Sequence, residues 1–154
     1  MNIHRAPRRV RAALAIAAMS LTGCNNPSQP EEAEPDISSV TIEHGTSTAT
    51  VGPGVGTMTL VAGAANTVTV RVRNTAGADD PVIVAAADDY EIRMRQGSTV
   101  RFTQSGTAYP YTGTITTGAA TGTAVYTVEV YSKEHGHVEF SGLLAITVSA
   151  SGVP

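Results

Sequence analysis

Cysteine occurs once in this chain, so no intramolecular disulfide can form and a packed core must hold the fold together. Tryptophan is absent and phenylalanine occurs twice, which makes that core aliphatic. No apolar run approaches the ~20 residues that a membrane-spanning helix needs. Residues 12–21, next to the N-terminus, fall well short of it. Amphipathic helical periodicity is missing throughout. There is no Gly-x-Ser-x-Gly elbow around any serine and no phosphate-binding glycine loop, so the chain is expected not to be an enzyme. Basic residues are scarce beyond residue 23, where six face thirteen acidic ones for a formal charge of −7. That balance argues against a nucleic-acid partner.

What is present begins with an address. Arg5, Arg8, Arg9 and Arg11 precede the apolar run over 12–21, and Leu21-Thr22-Gly23-Cys24 closes it. A positive cluster, a short apolar stretch and small residues make a secretory signal rather than a spanning helix. The last four residues resemble the lipobox of bacterial lipoproteins. This resemblance implies cleavage before Cys24 and acylation of its thiol, the one side chain nucleophilic enough to take a diacylglyceryl group as a thioether. Residues 1–23 are then the signal peptide, and several acyl chains hold the mature protein to the membrane without spanning it. Arg8-Arg9 lacks the neighbours usual in twin-arginine signals, which favours general secretion. Asn25 replaces the aspartate that commonly retains such lipoproteins in the inner membrane, so in a diderm the outer membrane is expected.

Residues 24–36 carry the cysteine and a spacer rich in proline and glutamate, with Glu31, Glu32 and Glu34 and no large apolar side chain. Such a segment cannot bury enough surface to offset its ordering entropy, and it reads as a tether. From residue 37 to 154 the length suits one domain, and every periodic segment alternates with period two. Val68, Val70 and Val72 alternate with Thr67, Thr69, Arg71 and Arg73; Tyr90, Ile92 and Met94 with Glu91, Arg93 and Arg95; Val100 and Phe102 with Thr99, Arg101 and Thr103. Ala124, Tyr126, Val128 and Val130 mark a late strand, and Val138, Phe140, Leu144, Ile146 and Val148 the last. Further strands are predicted over 39–43, 46–51, 57–61 and 81–86. Turn signals such as Gly52-Pro53-Gly54, Gln96-Gly97 and Ser105-Gly106 separate them. Eight or nine short strands with valine-rich inner faces predict an all-β, antiparallel β-sandwich.

Residues 113–128, with Gly113-Thr114-Ile115, Gly122-Thr123-Ala124 and the alternating Val125-Tyr126-Thr127-Val128, are similar to the end of a bacterial immunoglobulin-like domain. The resemblance implies an immunoglobulin-like order of strands. The Cys, Trp, Cys pattern of antibody domains is absent.

Among residues that could carry chemistry, His135, His137 and Glu139 are the sharpest group. Residues two apart on a strand share a face, so two imidazoles and a carboxylate would line one side. Such donors suit zinc, copper or nickel. With Phe140 and the even-numbered residues facing the core, this row is expected to face solvent. The first reading of the same segment is a solvated polar turn, with the metal site as the alternative. His44 would be a fourth ligand if its strand end lay beside that hairpin. The copper-zinc superoxide dismutase pattern does not fit, since only His44, His135 and His137 follow residue 23.

Arg71, Arg73, Arg93, Arg95 and Arg101 fall on the outward parity of three strands. As neighbours in one sheet they would form an anion patch able to hold phosphate or carboxylate groups of envelope glycans. Otherwise they pair across strands with Glu91, Glu129 or Asp88. Asp79-Asp80 and Asp88-Asp89 lack calcium-loop spacing and read as turn residues. Tyr109-Pro110-Tyr111 reads as an aromatic-proline turn, with a sugar-binding platform as the alternative. The leading expectation is a non-enzymatic, lipid-anchored envelope module whose partners are the membrane and an envelope protein or anionic glycan. A periplasmic or surface metal binder holding zinc or copper is the alternative.

Overall fold

A computed structural model describes residues 33–150 of the chain. The signal segment, the Leu21-Thr22-Gly23-Cys24 motif and the tether up to residue 32 lie outside the described residues. Ten strands follow in chain order: β1 (Ile37–His44), β2 (Ser47–Val51), β3 (Gly56–Val61), β4 (Ala65–Asn74), β5 (Tyr90–Gln96), β6 (Thr99–Val100), β7 (Phe102–Gln104), β8 (Tyr111–Thr116), β9 (Gly122–Ser132) and β10 (His137–Ser149). They form two five-stranded sheets, ordered β2-β1-β4-β8-β7 and β3-β10-β9-β5-β6. The fold is therefore the expected all-β sandwich.

Alternation builds each inner face. In the first sheet Val51, Val40 and Val72 stand side by side, and the next rung reads Ala49, Ile42, Val70 and Tyr111. Met94 with Val128, Ile92 with Val130 and Phe140, and Met58 with Ile146 continue this pattern in the second. These ladders meet to form one core in which Val40, Ile42, Val70, Val72, Met94, Val128, Val130, Leu144 and Ile146 are fully buried. Burying each such side chain contributes about 1.5–3 kcal/mol, which explains why the domain needs no disulfide. The sheets pack tightly where Gly142 of β10 faces Val51 of β2. A Cβ there would come within 2.5 Å of Val51 Cγ1.

Three expectations are corrected. The sandwich is not wholly antiparallel, because β3 runs parallel to β10, from Gly56 beside Leu144 to Val61 beside Ser149. Parallel neighbours need a long connection, and residues 62–136 separate these two.

Residues 81–86 are not a strand: Pro81–Ala85 form a helix, α1, and Ala87–Asp89 a 3₁₀ turn. Asp80 caps α1, its carboxylate accepting from Val82 N–H at 2.9 Å and Ile83 N–H at 3.1 Å, while Pro81 opens the helix where no N–H is needed. That start signal outweighs the β-branched run Val82-Ile83-Val84.

Residues 99–103 are not one strand either. The chain leaves the second sheet after Val100, and Phe102 begins β7 in the first. Arg101 occupies the crossing, its N–H donating to Met94 O at 2.8 Å. Splitting this segment offsets the loss of 81–86, and β8 brings the strand count to ten.

Residues 33–36 have no regular structure. At their end Asp36 is pinned: its N–H donates to the Asp80 carboxylate at 3.0 Å, and its own carboxylate accepts from the Thr75 hydroxyl.

Candidate functional site

The hairpin joining β9 to β10 carries the chemistry. Ser132, at the end of β9, is buried, and its hydroxyl accepts from His135 N–H at 3.1 Å while its carbonyl accepts from Gly136 N–H at 3.0 Å. Gly136 takes φ +70°, a backbone conformation that costs glycine little and other residues more. Lys133 N–H donates to Asp89 O at 2.8 Å, which fastens the turn to the 3₁₀ segment. Between these anchors the chain re-enters the sheet with His137 opposite Ser132 and Val138 opposite Tyr131.

A β-bulge then follows, because Phe140 pairs with Val130 and Glu139 is the extra residue. The bulge changes the parity expected of this row. Val138 points outward and is exposed, while Phe140 packs against the core and the Glu139 side chain is only 13% exposed. The row therefore does not face solvent as a unit. His135 and His137 stand at the rim, His137 with 58% of its side chain exposed, and Glu139 lies covered beneath them.

The two imidazoles are stacked, with centroids 5.6 Å apart and planes 13° from parallel. Both turn a nitrogen toward the same oxygen. His137 Nε2 is 3.1 Å and His135 Nδ1 3.6 Å from Glu139 Oε1, and the donor atoms of all three residues lie within 4.8 Å of one another. No other group of three histidine, cysteine, aspartate or glutamate residues comes together in this way among the described residues. Glu139 Oε1 is buried and makes no hydrogen bond among the described residues. The surroundings are acidic. The Tyr90 hydroxyl is held above its ordinary pKa by burial first, and then by the charges of Glu139, Asp80, Asp89 and Glu134.

His44 is not part of this cluster. It ends β1, with Nδ1 2.8 Å from Thr67 O, beside the start of β4. That is the end of the sandwich where β10 finishes, whereas His137 begins β10. A strand of 13 residues spans roughly 40 Å. No shared ion can bridge that length.

The arginine patch does not form, because β4 and β5 belong to different sheets. Arg71 and Arg73 both pair with Asp79, at 2.9 and 2.7 Å, Arg93 with Glu91 at 3.0 Å and Arg95 with Glu129 at 3.2 Å. Arg93 also lies 3.4 Å over the Tyr131 ring. Arg101, alone at the sheet crossing, lines an open cleft with Thr103, Thr116, Thr117 and Gly118. Four of the five arginines are thus paired, but of these pairs only Arg95 with Glu129 joins two strands; Arg93 pairs within β5, and Arg71 and Arg73 reach Asp79 in the loop after β4.

Tyr109 and Tyr111 are structural rather than a sugar platform. Tyr109 accepts from Val72 N–H at 3.0 Å and donates to Asp79 at 2.9 Å, and the buried Tyr111 donates to Ala87 O at 2.9 Å. Burial, reinforced by the bond to Asp79, pushes the Tyr109 hydroxyl up to about 12 despite the opposing effects of Val72 and Arg73. Burial likewise raises Tyr111.

Sequence reasoning missed two parts of this region. Ser132 orders the turn, and only its position at the end of the valine alternation hints at that. Asp80-Pro81, a capping carboxylate followed by proline, is a helix-start signature that the reading of 81–86 as a strand passed over. No protein-family model, curated protein or solved structure matches this chain.

Proposed function

We propose that this chain is a non-enzymatic, lipid-anchored module of the cell envelope, with acylated Cys24 as its first mature residue and an immunoglobulin-like sandwich as its working part. The observation that carries this reading is the junction at Asp36. An acidic, proline-rich segment with no regular structure in its described part runs up to that residue, where Asp80 and Thr75 grip the chain and β1 begins. A lipobox-like address, a spacer and a self-contained sandwich in that order make up the layout of a protein displayed from a membrane.

Strand order supports the immunoglobulin-like reading. The neighbours β1-β4-β8-β7 and β5-β9-β10 follow the ABED and CFG orders of such sandwiches, with β6 beside β5 as an added edge. The partner is an envelope protein rather than an anionic glycan, since four of the five arginines are already paired with carboxylates. Val125 and Leu143, diagonal neighbours on the outer face of the second sheet, are exposed and supply apolar contact surface.

Lipidation tests the anchor. Cys24→Ala is expected to leave an uncleaved precursor that takes up no fatty-acid analogue in the host cell. Continued labelling of that variant would overturn the assignment.

A further inference from the structure

We propose that the β9–β10 hairpin is a binding site for zinc or copper(II), with His135 Nδ1, His137 Nε2 and Glu139 Oε1 as its protein ligands. The inference is independent of how the chain is anchored. It rests on the geometry of the cluster and on one covered carboxylate oxygen that makes no hydrogen bond among the described residues.

A solvated polar turn would leave its carboxylate in water. Here the bulge turns Glu139 under the two rings, and its Oε1 is buried with no hydrogen bond among the described residues. Apart from the two imidazole nitrogens this covered carboxylate oxygen has no compensating partner, and a cation held between the three atoms supplies one. Ligands at about 2.0–2.2 Å around a tetrahedral zinc ion stand about 3.3 Å from one another. The separations of 3.1 and 3.6 Å from Glu139 Oε1 to the two imidazole nitrogens bracket that value. Both histidines are at the exposed rim, so small ring rotations can bring their nitrogens to the same spacing.

The class of ion follows from the donors. Two imidazole nitrogens and one carboxylate oxygen suit borderline ions such as zinc and copper(II), whereas magnesium and calcium call for more oxygens. Three protein ligands leave the remaining positions to water. The turn is held by Ser132, by the Lys133 to Asp89 bond and by Gly136, so the backbone is organised in advance. The rings themselves have no second hydrogen-bond partner among the described residues to orient them, which limits affinity to about micromolar.

The test uses the full-length chain purified in detergent and freed of metal with a chelator. Titration calorimetry at pH 7.5 is expected to show one zinc or copper(II) ion bound per chain through the hairpin, and no heat with magnesium. Removing both rings in the variant His135→Ala/His137→Ala should weaken that binding at least tenfold, as should the isosteric Glu139→Gln. Copper(II) loaded at one equivalent should show the electron-spin signature of two nitrogen ligands in wild type and lose it in the double variant.

Thermal melts separate a ligand from a merely structural residue. Zinc should raise the melting temperature of wild type but not of Glu139→Gln, whose metal-free melt stays close to that of wild type. The absence of zinc and copper(II) binding at 0.1 mM would overturn the proposal. Binding that survives unchanged in both variants would place the ion elsewhere and overturn it equally.

Discussion

Gly113 of β8 offers a quantitative test of how the first sheet packs. A Cβ added there would overlap two ring carbons of Phe102 and come 2.5 Å from Thr103 O. Phe102 is itself in the core at 4% exposure, and Gly113 pairs with Gln104, so the ring lies diagonally across the glycine. The substitution Gly113→Ala must push the ring, β7 or both outward by about 0.7 Å or more, since Phe102 Cζ would stand at 2.3 Å and Cβ contacts essentially never fall below 3.0 Å. Overpacking of this kind costs about 1–3 kcal/mol. The upper end is expected, because the crowding involves backbone as well as a ring, with a gain of about 0.5 kcal/mol returned by replacing a strand glycine. Against a total stability of about 5–15 kcal/mol for a domain of this size, that is a large fraction.

Phe102→Leu alone should cost about 1–2 kcal/mol by leaving unfilled volume. In the double variant the new methyl occupies the space the ring has left, so the two costs should overlap by about 1 kcal/mol or more. Urea denaturation of a form lacking residues 1–24, followed by circular dichroism, gives all four corners of the cycle. Strict additivity, or a Gly113→Ala midpoint equal to that of wild type, would refute this account of why glycine stands at 113.

Two further outcomes follow from buried polar groups. Asp80, 1% exposed, accepts from Val82, Ile83 and Asp36 N–H groups; Asp80→Ala should therefore lower stability by about 2–3 kcal/mol and Asp80→Asn by less, since asparagine still caps a helix, as thermal melts can check. Tyr109 and Tyr111 hold their protons in the fold at a pH where an unfolded tyrosine, with its pKa near 10, gives them up. The stability they confer is thus complete below about pH 10 and is lost as pH rises toward 12, about 1 kcal/mol per hydroxyl by pH 11. Urea midpoints at pH 8 and pH 11 should show that fall, and Tyr109→Phe should reduce it; an unchanged pH dependence in the variant would remove Tyr109 from the explanation.

Much of this protein was determined by local pattern alone. Period-two alternation of valine with threonine and arginine specified the strands at 68–72, 90–94 and 124–130, because a strand between core and solvent sorts side chains by residue parity. A single cysteine and an aliphatic composition specified a core without staples. The hairpin's ligand types were equally legible, since His135, His137 and Glu139 sit two residues apart.

Tertiary structure decided the rest, where the outcome depended on which distant segments become neighbours. Local sequence does not state that β4 and β5 belong to different sheets, and that separation dispersed the arginines onto Asp79, Glu91 and Glu129. Nor does it state that β3 joins β10 in parallel, a pairing between chain segments more than 80 residues apart. At residue 139 strict alternation fails, because β9 and β10 are out of step by one residue there and the bulge absorbs the difference. That single extra residue places the Glu139 carboxylate beneath two imidazoles instead of beside them in water. Side-chain identity was written in the sequence, but the direction in which Glu139 points was set by the register of the strand across from it.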